Sequence, residues 1–211
     1  DVKAVGDDGV IEGYASAVNI ARVLPFRFIA AARAVPAFED LLEPMMLRAG
    51  EGRDKLVGKT VVLLDVSPSM DVKLSAKADL SRMDAAFGVA ILLRELCEDV
   101  EILSFSNEVA QVPPRHGFAL ADAINKSQPH NGTLLGKAIA TVNKLRPCDR
   151  LIVLTDEQSQ DAVGEPLAPK AYMLNVASEK NGVGYGKWNH INGWSEACID
   201  YIQEFEAQAQ A

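Results

Sequence analysis

The hydrophobic pattern changes character near Lys59. Before it, residues 14–49 (YASAVNIARVLPFRFIAAARAVPAFEDLLEPMMLRA) are rich in Ala, Leu and Met and are cut by Pro25, Pro36 and Pro44. Proline ends or kinks a helix, so this stretch predicts short packed helices and not a complete domain. EGRDKLVGK (51–59) reads as a polar connector. Beyond it, strand and helix patterns alternate. TVVLLDV (60–66) is continuously apolar, as expected of a parallel strand buried on both faces. SRMDAAFGVAILLRELCED (81–99) has apolar residues at helical spacing, opened by a capping box of Ser81 and Asp84. VEILSFS (100–106) and EVAQV (108–112) predict a hairpin turning at Asn107. GFALADAINKS (117–127) and TLLGKAIATVNKL (133–145) predict helices, DRLIVLTD (149–156) and KAYMLNVA (170–177) buried strands, and SEACIDYIQEFEAQA (195–209) a closing amphipathic helix.

This alternation argues for an α/β fold: a doubly wound, mostly parallel sheet with one antiparallel edge strand. The expected organisation is a helical segment and linker over residues 1–56, followed by a single α/β domain over 57–208. In doubly wound sheets, ligands collect beyond the carboxyl ends of the strands where strand order reverses. Asp65 and Asp156 each end an apolar strand, which marks that edge as a candidate site.

The neighbours of those aspartates indicate the chemistry. Asp65-Val66-Ser67-Pro68-Ser69 puts a carboxylate and two hydroxyls into one turn, and Thr133 follows a glycine just before a helix at Leu134, which it could also cap. With Asp156 the set is all oxygen, without histidine or cysteine. Such hard donors favour Mg2+, with Mn2+ or Ca2+ as substitutes, over zinc. If neutral hydroxyls bind directly and the carboxylates act largely through water, the ion keeps most of its charge and seeks an anionic oxygen from outside, such as a partner's glutamate or aspartate. No general base is evident, so the site suits binding and not catalysis. His130, Glu157 and Gln158 are candidates for its rim or supporting shell.

DVSPS, the later NGT and TDE together resemble the metal-ion-dependent adhesion site of von Willebrand factor A domains, with Pro68 where glycine is common. That resemblance carries the metal-ligand role onto Asp65, Ser67, Ser69, Thr133 and Asp156. VLPFRFIAAARAV, GKTVVLLDVSPSM, LTDEQSQD and INGWSEACIDYI add a narrower resemblance to the C-terminal part of the Ro autoantigen (TROVE) family, covering most of residues 19–205. In that family a ring of helical repeats binds small and misfolded RNAs and a von Willebrand A-type domain closes the ring. The resemblance implies a ribonucleoprotein engaged in RNA quality control, with residues 14–49 as the last helices of a ring otherwise absent from this chain.

Charge sharpens that division. Residues 1–59 carry 8 basic and 9 acidic side chains, residues 60–211 carry 13 and 20. A surface with net charge −7 does not grip a phosphate backbone, so RNA is expected on the missing ring of a parent protein. Cys97, Cys148 and Cys198 lack zinc spacing and read as thiols of a reducing cytoplasm. The N-terminal DVKAVGDDGV has no signal-peptide pattern, and no apolar run is long enough for a membrane span. Two rival readings of Asp65 stand beside the non-enzymatic one. It could be the nucleophile of a haloacid-dehalogenase-like Mg-dependent phosphatase, although Ser67 replaces the second carboxylate expected there and only Lys137 offers a helper lysine. Alternatively the domain is structural, with a vacant metal site.

Overall fold

The computed structural model describes residues 25–48, 52–76, 79–177, 182–195 and 197–208. The expected helical content of 14–24 lies outside them. Among the described residues two short helices come first, α1 (Pro25–Ala34) and α2 (Glu39–Arg48), joined by a 3-10 turn at Pro36–Phe38. Pro44 lies inside α2 and does not end it. Strand β1 (Leu56–Asp65) leads to α3 (Arg82–Leu96), then β2 (Cys97–Phe105) and β3 (Val109–Gln111). Helices α4 (Gly117–Asn125) and α5 (Leu135–Leu145) precede β4 (Arg150–Thr155) and β5 (Lys170–Asn175). Strand β6 (Asn189–Asn192) and helix α6 (Ala197–Gln208) are the last described elements.

The six strands lie in the order β3-β2-β1-β4-β5-β6, all parallel except the β2–β3 pair. This is the expected doubly wound sheet with an antiparallel edge strand, of the von Willebrand A and Rossmann-like kind. Successive β1 side chains point to opposite faces. Val62 and Leu64 join the cluster under α1, α3 and α6, while Val61 and Leu63 pack against Leu135, Ile139 and Val142 of α5. Burial on both faces explains the continuous apolar run.

Helix α3 is buried almost throughout, because the sheet lies on one side and α1 on the other. A Cβ added at Gly88 would stand 3.1 Å from the backbone nitrogen of Phe26, so glycine there allows the close approach of α1. Phe26 stacks edge-on against Trp194, 4.3 Å between ring centres. The bidentate ion pair of Arg33 with fully buried Asp84 fastens α1 to the start of α3.

The sequence reading erred at three places in the fold. Strand β1 begins at Leu56, inside the stretch read as a connector, because Leu56 pairs with Cys97 and Lys59 with Asp99. Strand β6 was not anticipated: only four residues long, half-buried and Asn-rich, it takes its conformation from pairing with β5 and not from its own pattern. Helix α5 starts at Leu135 with Leu134 in the capping position, so Thr133 is not its cap. Asp161 caps the helix from another loop, accepting from the backbone N–H of Gly136 and of Lys137, each at 2.8 Å.

Candidate metal centre at the switch point

Strand order reverses between β1 and β4, and Asp65 and Asp156 lie at the carboxyl ends of those two strands. The chain leaves the sheet at Ser67. Pro68 starts a 3-10 turn, Pro68–Asp71, with its φ preset and no N–H to leave unpaired. Ser67 occupies the capping position but its side chain makes no cap bond. Its hydroxyl instead hydrogen-bonds that of Ser69 at 3.1 Å, which brings the two oxygens side by side.

Asp65 is fully buried. Its Oδ1 accepts from the Ser67 N–H at 2.8 Å, and its Oδ2 accepts from the Thr155 hydroxyl at 2.8 Å. Burial pushes its pKa up to about 6, and the negative charge of nearby Asp156 adds to the rise. A cation beside these two carboxylates would relieve that cost, and the convergent hydroxyls supply the neutral oxygens a small hard ion takes. The donor set therefore fits Mg2+. Among the described residues no cluster of three or more His, Cys, Asp or Glu side chains is arranged for a metal.

Thr133 is nearly buried and is held by its backbone. Its N–H donates to Gln160 Oε1 at 3.3 Å and its carbonyl accepts from the Gln160 N–H at 2.8 Å. Asn131 N–H to Ser106 Oγ (2.9 Å) and Leu134 N–H to the Ser106 carbonyl (2.9 Å) tie the same loop to the end of β2.

Asp156 meets a residue that the sequence reading missed. Arg82 Nη1 donates to Asp156 Oδ2 at 2.7 Å, both side chains buried, while Asp156 Oδ1 accepts from the Gln158 N–H at 3.2 Å. A signal for Arg82 was present: a cation in the first turn of a helix opposes the helix dipole and needs an acidic partner. Thr155, directly before Asp156, and Gln160 carried no comparable signal.

The supporting candidates separate. Glu157 is buried at a left-handed φ of 61°, and both its oxygens are engaged elsewhere: Oε1 pairs with His190 Nδ1 at 3.1 Å and Oε2 accepts from the Gly182 N–H at 3.2 Å. It braces the loop before β6. Gln158 is exposed, and His130 is half-buried and bonds the Asn125 carbonyl through Nε2. Lys137, needed by the phosphatase reading, bonds the Asn107 carbonyl at 3.0 Å and Glu108 at 2.5 Å.

The fold is that of an α/β domain of the von Willebrand A or Rossmann-like kind. Within it, the chain is similar to the Ro (RSR) protein of Deinococcus radiodurans. The TM-score is 0.70 at 20% identity over 93% of this chain, and the chain spans 47% of that protein's length. It is also aligned with an aerotolerance-related membrane protein of Bacteroides fragilis (TM-score 0.41, 17% identity, 69% of this chain and 86% of that one). BatB of Bacteroides thetaiotaomicron aligns with a TM-score of 0.44 at 16% identity, over 72% of this chain and 99% of that one. No family model and no curated relative matches the sequence.

Proposed function

We propose that this chain is a divalent-cation-dependent binding domain, in which Asp65, Ser67, Ser69, Thr133 and Asp156 hold Mg2+ and the ion captures an acidic group of a partner protein. The observation carrying this reading is the turn after β1, where the Ser67 and Ser69 hydroxyls face each other at 3.1 Å beside fully buried Asp65. Neutral hydroxyls leave the ion's charge largely uncompensated, which is what recruits an outside carboxylate. No step needs a nucleophile from this chain.

The wider role rests on the resemblance to the Ro family and on the similarity to the Ro protein of D. radiodurans. On that basis the chain is the metal-site domain of a cytoplasmic, Ro-like ribonucleoprotein, and RNA binds elsewhere in the parent protein. The acidic composition of residues 60–211 supports that division. No helix among the described residues is long and apolar enough to cross a membrane.

The test is isothermal titration of Mg2+ into chelator-stripped protein, followed by a glutamate-bearing peptide. Saturable Mg2+ binding that is lost in Ser67→Ala, with peptide binding only when Mg2+ is present, supports the reading. Peptide binding that ignores the metal would overturn it.

A further inference from the structure

The geometry assigns Arg82 a function in the site: its guanidinium is a fixed cation that competes with the divalent ion for Asp156 and holds the metal affinity down. This inference rests on the proposed metal-binding reading. In the structure Asp156 Oδ2 is engaged by Arg82 at 2.7 Å and Oδ1 by the Gln158 N–H at 3.2 Å. An incoming ion must therefore share Asp156 with the guanidinium, reach it through water, or displace Arg82. Each route weakens the ion's hold relative to a free carboxylate.

Arg82 is well placed to persist there. It is 7% exposed, and its backbone N–H donates to the Val72 carbonyl at 2.9 Å, which fixes it just beyond the Ser67–Ser69 turn. The residue before it, Ser81, caps α3, and its side chain accepts from the Asp84 N–H at 3.2 Å while Asp84 Oδ2 accepts from the Ser81 N–H at 2.8 Å. Asp84 is in turn gripped by Arg33 of α1. The helix start is thus locked from both sides, and the guanidinium reaches Asp156 from a rigid base.

Arg82 sets a positive charge against Asp156, one of the two carboxylates the ion would share, so removing Arg82 lets the ion bind more firmly.

The test measures Mn2+ binding from the electron paramagnetic resonance signal of the free ion, in wild type, Arg82→Gln and Arg82→Lys. Arg82→Gln is expected to bind Mn2+ at least roughly tenfold more tightly, because a cation in contact with a metal-site carboxylate is gone. Arg82→Lys keeps the charge and is expected to stay within about threefold of wild type. A variant-free readout is the Arg82 Nε–H resonance of the wild type, which is expected to shift as Mg2+ saturates the site. Equal Mn2+ affinity in wild type and the Gln variant, or an Arg82 resonance unmoved by bound Mg2+, would overturn the role of Arg82 and leave the metal site standing. No Mn2+ binding in any of the three proteins would remove the metal reading itself, and this inference with it.

Discussion

Replacing Asp65 with asparagine tests the electrostatics of the site without any ligand. In the cation-free protein the Asp65 pKa stands at about 6 against an ordinary 3.8, chiefly through burial. The folded state therefore binds this proton more tightly than the unfolded chain. The group's stabilising contribution is complete below about pH 3.8 and is lost as pH rises through about 6. The shift of about two units corresponds to about 3 kcal/mol of stability lost across that window. Asparagine carries no charge to bury. Its oxygen can still accept from the Ser67 N–H, and its amide can donate to the Thr155 hydroxyl, which now accepts. At pH 7 with chelator present, Asp65→Asn is therefore expected to be more stable than wild type by about 1–3 kcal/mol, the lower figure allowing for a weakened hydrogen bond. Urea unfolding from pH 4.5 to 8 measures this. The wild-type midpoint should fall relative to the variant as pH rises, and saturating Mg2+ should restore wild type only. Parallel pH profiles for the two proteins would refute the assignment of a buried, uncompensated charge to Asp65.

Three further outcomes follow from contacts elsewhere. Glu206→Gln breaks its buried pair with Arg150 and should cost about 3–5 kcal/mol in chemical unfolding, since it leaves a guanidinium 1% exposed without its carboxylate. Asp161→Ala removes the cap of α5 and should cost about 1–2 kcal/mol, with faster hydrogen exchange at Gly136 and Lys137 than elsewhere in the helix. Arg33→Met strips the partner from buried Asp84 and should lower the unfolding midpoint, whereas Arg33→Met with Asp84→Asn should recover most of the loss.

The parts of the fold that depend on periodicity were legible in the sequence. The apolar run of β1, the Ser81–Asp84 capping box and the hairpin turning near Asn107 all follow from local rules, and each is present. What depends on distant partners was hidden. Strand β6 has no strand pattern of its own and forms because Tyr172 through Asn175 offer it a free edge. The cap of α5 lies 25 residues away at Asp161, so the nearer Thr133 looked like the natural choice. The pairing of the Ser67 and Ser69 hydroxyls was readable because a single turn carries both. Arg82 reaches Asp156 across 74 residues, and only the anomaly of a cation in a helix's first turn hinted at it.

Anomalous diffraction from Mn2+-soaked crystals, beside crystals of Asp156→Ala, tests the central claim most directly. A peak within about 2.2 Å of the Ser67, Ser69 and Thr133 hydroxyl oxygens, weakened or lost in the variant, is the predicted result. No peak, in crystals where this end of the sheet is open to solvent, would contradict the account and leave a structural domain with a vacant site.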